Sequence, residues 1–482
     1  MARKDPNRRL TTLDASFLYC EKPKEPLHIG ACTIYEGHIS REALMHTFLE
    51  RLHLLPRYRQ KAVFPPFGLA HPTWEDDPDF DLRNHVEELT LPALADDRVL
   101  SEVGGRVFAP LLDRNRPLWK TVLLQGRPDG NTALIWKVHH AMVDGISGVD
   151  LIMVLHDLKP AAEPPAPPPT PWQPQPLPDP LTLLQDATRD WLTETVQWWT
   201  NESLRLLRPA EMAERVRQMT TVMTSSMSAL LWPAPRVPFN GPLSSERQFT
   251  WAEFSFTEVR AIRAVLGGTV NDVVLAVIAG GLGRYLRAHG YRTGEVELRT
   301  MCPVSMRRED ERGALGNLIS MIFVPLYVGI TDPVERLTAE RAAMERLKSQ
   351  DQAGALYALA SLFNQVPPAW QAVSGQFTVP NLLLNTVSTN VPGPQIPLYL
   401  AGHKLLALYP LGLLAANIGL FNAIVGYNQK LIISPTVDPQ LMPDVWFYTD
   451  CLKASFAELR AAAERAAATA RPHSSVREQV AA

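Results

Sequence analysis

The sequence predicts a mixed α/β protein with two large halves joined by a proline-rich linker. The chain has 482 residues, a length that is typical of two to four domains or of two large halves. Segments with the apolar spacing of helices alternate with apolar, β-rich segments, both before and after the linker. Eleven of the 42 prolines lie between Lys159 and Pro180, and such a run favours extended polyproline II over helix interior or central strand.

These observations divide the chain into four parts. Residues 1–158 form a first lobe, 159–180 the linker, 181–235 a pair of amphipathic connector helices, and 236–482 a second lobe. In the first lobe we predict helices at 41–54, 97–111 and 148–158, and strands at 118–124 and 133–138. In the second lobe we predict helices at 258–266, 270–288, 333–348, 355–363 and 443–471, and strands at 296–301, 318–328 and 382–387.

The connector helices carry apolar residues at helical spacing. Leu184, Trp191 and Trp198 recur every seven residues, and after Pro209 several methionines follow at spacings of three and four. Two interpretations are open. The apolar stripes pack on the two lobes, or they form an interfacial membrane element with tryptophan at headgroup depth and methionine against acyl chains.

The composition excludes several classes of protein. The chain has 47 Lys+Arg and 50 Asp+Glu, a net charge of −3, with 46% hydrophobic and 20% charged residues. This balance is that of a globular protein, and it excludes a disordered chain or one that depends on a strong cationic surface to bind nucleic acid.

The cysteines and the apolar segments bear on the compartment. The four cysteines are scattered without a CxxC pair, which argues against a disulfide framework or a zinc site and indicates a reducing cytosol. The basic N-terminus is not followed by the apolar core of a secretion signal. Residues 405–429 carry no charge and are long enough to span a bilayer, but Pro410, Gly412, Gly419 and Gly426 interrupt them. We therefore predict two buried strands joined by turns there.

The segment WKVHHAMVDGISG, at residues 136–148, carries the strongest chemical signal. A strand runs into His139 and His140, whose side chains would point to opposite faces, so that only one enters a given cavity. A neutral imidazole is well suited near pH 7 to remove a hydroxyl or thiol proton. Asp144 would pair with the imidazole or anchor the loop through an arginine, and Gly145 allows a backbone conformation that other residues resist.

Taken alone, this segment leaves a catalytic and a structural role open. A metal site is disfavoured because no third and fourth ligands occur at suitable spacing. A Ser–His–Asp hydrolase is disfavoured because the chain has no GxSxG motif.

Short sequence blocks on both sides of the linker occur in the order of a known enzyme family. HHAMVDG matches the motif HHxxxDG of the CoA-dependent acyltransferase superfamily. The further blocks are LTTLDASFLYCE (10–21), PLHIG (26–30), LLPRYRQ (54–60), WEDDPDFDLRNHV (74–86), RPLW (116–119), TVNDVVLA (269–276), PVSMR (303–307), GNLIS (316–320) and NVPGP (390–394). Along nearly its whole length the chain resembles the bacterial wax ester synthase/diacylglycerol acyltransferase family.

The resemblance implies a fold and an activity. The fold would be the two-lobed one of chloramphenicol acetyltransferase, with a tunnel between the lobes. The activity would be transfer of a fatty acyl group from acyl-CoA, as co-substrate, to the hydroxyl of diacylglycerol and of long-chain alcohols, without a cofactor or metal. The enzyme would be cytoplasmic and would touch the inner face of the cell membrane or lipid inclusions at its periphery.

The resemblance also assigns roles to single residues. His140, beside His139, would be the general base, and Asp144 would hold the loop through a salt bridge to Arg307. Asn271 is the candidate donor to the oxyanion, with capping of the helix that begins there as the alternative. The candidate tunnel residues, for which packing or a rigid turn is the alternative, are Pro117, Trp119, Asn390 and Gly393.

Two other functions compete with this one. The first is a condensation-type acyltransferase that uses another acceptor, which the N- and C-terminal blocks disfavour. The second is a lipid-binding relative without catalysis, which has no need of an intact HHAMVDG. The sequence does not decide between diacylglycerol and a long-chain alcohol as the preferred acceptor, and diacylglycerol is favoured only because it is common in the family.

Overall fold

The computed structural model describes residues 8–143, 148–206, 217, 233–294, 296–305, 319–349, 354, 366–375 and 383–470. The helices are α1 (Thr12–Cys20), α2 (Arg41–Arg51), α3 (Asp97–Phe108), α4 (Gly148–Leu155), α5 (Pro180–Leu206), α6 (Phe256–Leu266), α7 (Val270–Ala288), α8 (Pro333–Ser349), α9 (Pro368–Gly375) and α10 (Val445–Ala470). The predicted helices agree with these to within a few residues, and α1 and α9 were not predicted. The predicted helix at 355–363 lies outside the described residues.

The strands form two large sheets and one hairpin. They are β1 (His28–Tyr35), β2 (Gln60–Val63), β3 (Thr73–Asp76), β4 (Val86–Thr90), β5 (Trp119–Gln125), β6 (Thr132–His139), β7 (Gln248–Phe249), β8 (Ala252–Ser255), β9 (Leu298–Ser305), β10 (Ile319–Leu326), β11 (Thr386–Val391), β12 (Tyr399–Leu400), β13 (His403–Leu411), β14 (Leu420–Tyr427) and β15 (Lys430–Val437). The first sheet has the order β12-β13-β1-β6-β5-β4, and the second has the order β10-β9-β11-β14-β15-β7, with β8 beside β15.

The first sheet places the strand of the PLHIG block beside the strand that ends in the histidine pair. β1 and β6 are antiparallel, with His28 opposite His139 and Gly30 opposite Lys137. An added Cβ on Gly30 would overlap the carbonyl oxygen of Trp136, so the two strands approach as closely as they do only because this residue is glycine.

The second sheet packs against two long helices. α7 is buried along nearly its whole length and lies against α10. The helix begins at the TVND block: the side chain of Thr269 accepts the N–H of Asp272, and the Asp272 carboxylate accepts the N–H of Thr269 at 2.7 Å. This reciprocal capping box explains why the predicted bounds, 270–288, coincide with the observed ones.

The first sheet contains a hairpin from the second half of the chain, which the sequence did not predict. β12 and β13 come from the second half of the chain but pair with β1 in the first sheet, with Tyr409 opposite Cys32. The uncharged stretch at 405–429 therefore forms two strands, as predicted, but in different sheets. The predicted boundary at residue 236 does not follow the sheets for this reason. Among the described residues no single helix is long and apolar enough to span a membrane. The pair α6 and α7, bent by 98° between the two helices, has the length and composition of a broken membrane span.

The proline-rich linker lies on the first half of the chain. The ring of Trp172 meets Phe80 edge to face at 6.2 Å and lies under the guanidinium of Arg59 at 4.4 Å. The N–H of Gln175 donates to the carboxylate of Asp76 at 3.1 Å. The linker is thus a strap fixed beside the β2–β3 hairpin, and it leads directly into α5.

Candidate active site

The histidine pair lies where β6 ends. His139 is the last residue of the strand, and His140 begins a 3₁₀ turn, His140–Met142. The backbone N–H of His139 donates to the carbonyl of Leu118, and that of His140 donates to the carbonyl of Leu27, each at 2.9 Å. The RPLW and PLHIG blocks therefore hold the backbone of the pair from both sides.

His140 has the environment of a neutral base. Its ring stacks on Phe17 of α1, with the ring centroids 4.0 Å apart and the planes 17° from parallel. Burial lowers its pKa to about 4, a hydrogen bond to the backbone of His140 itself opposes that change, and the neighbouring His139 lowers the pKa further. The imidazole is therefore neutral at neutral pH, and one of its two ring nitrogens keeps a lone pair that can accept a proton.

His139 faces a different environment. Its side chain is fully buried, and its Nδ1 accepts the N–H of Ala141 at 3.1 Å. Its Nε2 lies 3.3 Å from Oε1 of Glu21, an electrostatic contact without the geometry of a hydrogen bond. His139 is therefore turned into the protein, whereas the ring of His140 lies against α1.

Three residues beside the pair were not singled out from the sequence. They are Phe17 and Glu21, both from the LTTLDASFLYCE block, and Arg114, which donates to the Glu21 carboxylate at 3.1 Å. A carboxylate that directly follows an apolar helix was the only signal available in the sequence for Glu21. Nothing in the sequence indicates that residues about 120 positions apart meet.

The apolar side chains of the RPLW block pack in the interior of the first half of the chain. Pro117 and Trp119 are buried, and the indole N–H of Trp119 donates to the carbonyl of Tyr58 at 2.9 Å. The indole stacks on His85 at 4.5 Å and on Phe48 at 5.2 Å. These contacts fix the end of β5, which in turn holds His139 through Leu118. The assignment of Pro117 and Trp119 to a tunnel stays a prediction.

Asn271 does not cap α7, which was the alternative role predicted for it. Thr269 is the N-cap of α7, and Asp272 completes the capping box. Asn271 itself is half-buried in the first turn of the helix. Its role as oxyanion donor stays a prediction.

The NVPGP block lies at the end of β11. Asn390 is half-buried and opposite Ile424 of β14. An added Cβ on Gly393 would overlap the carbonyl oxygen of Gly426, so glycine is required where this turn approaches β14. This is a structural reason for Gly393, and a tunnel role for either residue is untested. Asp144, Gly145 and Arg307 lie outside the described residues, and the salt bridge between Asp144 and Arg307 stays a prediction.

Comparison with known families decides the relationship that the motifs predicted. Residues 10–274 match the sequence profile of the wax ester synthase/diacylglycerol acyltransferase catalytic domain, and residues 315–460 match that of the WS/DGAT C-terminal domain. The chain belongs to the wax ester synthase/diacylglycerol acyltransferase family. The match to the catalytic domain includes the histidine pair and the start of α7.

Relatives of this family member are similar over nearly their whole length. A putative diacylglycerol O-acyltransferase of Mycobacterium tuberculosis is 30% identical over 468 residues, which cover 94% of this chain and 90% of that protein. A probable diacylglycerol O-acyltransferase of the same organism is 30% identical over 468 residues, covering 96% of this chain and 98% of the relative.

Solved structures of the superfamily share the fold of this acyltransferase. The wax ester synthase/diacylglycerol acyltransferase from Marinobacter aquaeolei VT8 has a TM-score of 0.66 at 24% identity, over 95% of this chain and 100% of that one. A starter condensation domain of rhizomide synthetase, solved with C8-CoA and Leu-SNAC, has a TM-score of 0.56 at 16% identity, over 95% and 94% of the two chains. The predicted two-lobed acyltransferase fold is confirmed.

Proposed function

We propose that this acyltransferase moves a fatty acyl group from acyl-CoA to the hydroxyl of diacylglycerol, and also to long-chain alcohols. The observation that carries the proposal is the environment of His140 in a chain of this family: its ring stacks on Phe17 at the end of β6, and burial lowers its pKa to about 4, so that the imidazole is neutral at neutral pH. The relatives named as diacylglycerol O-acyltransferases support diacylglycerol as the acceptor.

The chemistry follows from a base that can hold one proton for a short time. Nε2 of His140 removes the hydroxyl proton as the alcohol oxygen forms a bond to the thioester carbonyl carbon. The oxyanion then collapses, the C–S bond breaks, and the CoA thiolate takes the proton from Nε2. The hydrogen bond to the backbone of His140 raises the pKa of the ring, and it would therefore stabilise the transient imidazolium. No acyl-enzyme or further cofactor is needed, because both substrates are held together.

Two further roles belong to this proposal. Asn271, at the first turn of α7, would donate to the oxyanion, since Thr269 already caps the helix. Asp144 would fix the loop after the histidines through Arg307. A lipid-binding relative without catalysis would have no use for a base arranged in this way. A condensation-type reaction on another acceptor is disfavoured by the match to the WS/DGAT C-terminal domain.

The acceptor is tested by supplying labelled palmitoyl-CoA with dioleoylglycerol, hexadecanol or hexadecylamine and separating the products by thin-layer chromatography. We expect labelled triacylglycerol with the first acceptor and a smaller amount of wax ester with the second. Acyl chain that is bound but never converted would contradict the proposed function, and a product formed only with an amine acceptor would favour the condensation-type reaction.

The low pKa of His140 predicts an unusual acid limb for the reaction. Catalysis needs the neutral imidazole, and a pKa lowered from 6.5 to about 4 keeps that form as the pH falls. We therefore expect kcat/KM to stay nearly constant from about pH 8 to about pH 5.5 and to fall only towards pH 4. A midpoint near 6.5 would contradict this environment for His140.

The loss of activity at low pH that comes from protonation of His140 must be distinguished from loss caused by acid unfolding. Burial also lowers the pKa values of His28 and His156, so the unfolded chain takes up protons below pH 6.5 that the folded chain does not. Folding stability therefore falls as the pH falls through that range. Enzyme that is held at each test pH and returned to pH 7.5 before assay provides the control.

We also propose that the enzyme contacts a lipid surface through an apolar platform formed by Phe67, Trp191, Leu192, Trp370 and Val373. All five side chains are exposed, Phe67 by 83% and Trp370 by 69%. The turn that carries Phe67 contacts both α5 and α9, and α9 contacts α1, the helix that lies against His140. The turn that carries Phe67 is thus linked to the proposed site of acyl transfer through α9 and α1.

The backbone of Phe67 supports this role. Its φ of 59° lies in the left-handed region, which costs a non-glycine residue about 1 kcal/mol. The Phe67 ring is nevertheless exposed to solvent. Burial of this ring in lipid would offset the cost of the backbone conformation. Only the first helix of the predicted connector, α5, is described. Its Leu183 and Ala187 are buried, so packing accounts for the first turns of this helix, whereas Trp191 and Leu192 are exposed, and the proposed membrane contact would use that next turn.

A double substitution, Phe67→Asp with Trp370→Asp, tests this contact. We expect binding to phosphatidylcholine vesicles that contain diacylglycerol, measured by flotation, to fall about tenfold or more. Leu94→Asp is the matched control, since Leu94 is 88% exposed and also has a positive φ but lies on the loop before α3. Unchanged binding of the double variant, or an equal loss in the control, would contradict the platform.

A further inference from the structure

The carboxylate of Glu21 is buried directly behind the histidine pair. Glu21 is the C-cap of α1, one turn after Phe17, whose ring stacks on His140. The Glu21 side chain is 1% exposed, and its Oε1 lies 3.3 Å from Nε2 of His139. Burial of a charged group is costly unless donors surround it. We therefore consider which donors surround the Glu21 carboxylate.

Backbone and side-chain donors converge on this carboxylate. Oε1 accepts the N–H of Leu27 at 3.0 Å, and Oε2 accepts Nη2 of Arg114 at 3.1 Å. The same nitrogen of Arg114 donates to the carbonyl of Leu18 at 2.7 Å, which ties it to α1. Burial raises the pKa of Glu21, but His139, Leu27 and Arg114 together outweigh it, and the pKa is lowered. Glu21 is an anion at neutral pH.

This anion fixes the protonation of His139. Because Nδ1 of His139 accepts the N–H of Ala141, Nδ1 carries the lone pair and the proton is on Nε2, which faces Glu21. In the neutral Nε2–H form of His139, Nδ1 can accept the N–H of Ala141 while the Nε2–H faces the carboxylate of Glu21. Ala141 lies in the turn that begins at His140, so the ring of His139 holds this turn in place.

Glu21 also reaches the backbone of His140 through one residue. The N–H of Leu27 donates to Glu21, and the carbonyl of Leu27 accepts the N–H of His140 at 2.9 Å. α1 therefore holds the ring of His140 through Phe17, and its backbone through Glu21 and Leu27.

We propose that Glu21 is a positioning residue for His140, which selects the Nε2–H tautomer of His139 and fixes the turn on which the base is carried. The kinetic part of this inference rests on the proposed function, whereas the tautomer of His139 does not. Glu21 does not touch the reacting atoms, so its loss should lower the rate of the chemical step without weakening the binding of acyl-CoA.

The kinetic test is Glu21→Gln, with Glu75→Gln as the matched control. Glu75 is another buried carboxylate of the same half, paired with Arg8 at 2.7 Å. We expect Glu21→Gln to lower kcat about 10- to 100-fold, as for a displaced catalytic group, with KM for acyl-CoA changed less than about twofold. Glu21→Asp, which keeps the anion, should retain more activity, and the control should match the wild type.

The tautomer is measured without turnover, by nuclear magnetic resonance of protein labelled with ¹⁵N in its histidine rings. His139→Gln assigns the signals of His139. We expect a protonated Nε2 in the wild type and in Glu21→Asp, and a shift towards the Nδ1–H form in Glu21→Gln. An Nδ1–H wild type, or an unchanged tautomer with wild-type kcat in Glu21→Gln, would overturn the positioning role.

The two proposals fail in different ways. A wild-type enzyme that acylates none of the acceptors counts against the proposed function, and the tautomer measurement then decides the role of Glu21 alone. Where Glu21→Gln does not fold, the Asp variant carries the test: an unshifted Nε2–H tautomer with a kcat within about tenfold of the wild type supports the proposal, and an unshifted tautomer with a larger loss of kcat, or a shifted tautomer with wild-type kcat, overturns it.

Discussion

Replacing His140 by alanine is expected to lower kcat for acyl transfer by about 10²- to 10⁴-fold, the range that general base catalysis contributes. The variant loses the nitrogen that takes the hydroxyl proton, while the backbone bond from residue 140 to Leu27 is kept. We therefore expect an unfolding temperature close to that of the wild type. The measurement is the labelled palmitoyl-CoA assay with dioleoylglycerol, at saturating concentrations of both substrates.

His46→Ala is the control for this experiment. Its side chain is 74% exposed on α2, and its Nδ1 lies 3.4 Å from the carboxylate of Glu50, one turn further along. Its activity and unfolding temperature should equal those of the wild type. An alanine variant of His140 that keeps near-normal activity at full purity would show that another group is the base.

Replacing Gly30 by valine is expected to have the largest effect on stability, a loss of about 3 kcal/mol or more in the free energy of unfolding. A Cβ at this position would overlap the backbone carbonyl of Trp136 and would lie 3.0 Å from the ring of Phe108. The backbone oxygen of Trp136 cannot move away without separating β1 from β6. Since Leu27 and His139 lie at the end of these strands, activity should fall with stability.

Denaturant unfolding, together with the yield of soluble protein, measures this effect. Gly294→Ala is the matched control, because an added Cβ there meets no atom within 4 Å and its φ is not in the left-handed region. We expect its free energy of unfolding to change by less than about 0.5 kcal/mol. A Gly30→Val variant as stable as the control would mean that the two strands have room that the structure does not show.

Local patterns predicted most of the elements because each pattern has a local physical cause. The capping box of TVND and the apolar run after it fix the start of α7 without help from distant residues. Strand bounds were less accurate, as for β11, predicted at 382–387 and observed at Thr386–Val391. Pairing with a neighbouring strand decides where a strand ends, and the neighbour is not visible in the local sequence.

The candidate site was predictable in part for the same reason. The histidine pair stands in a contiguous motif, and the structure places it at the end of a strand, as expected. The packing role of Trp119 and the close approach of Gly393 depend on Tyr58 and Gly426, which lie far away in the sequence. Sequence reasoning could name these residues but could not say what they touch.

By itself, the sequence determined the family, the chemistry of an imidazole base, and the elements whose apolar period or caps are local. Only the tertiary structure decided that β13 joins the first sheet and that Glu21 and Phe17 of α1 hold the histidine pair. The physical reason is that periodicity reports which face of an element is buried, but not against what. A buried carboxylate is tolerated only where donors from several segments meet, and that meeting is a property of the folded chain.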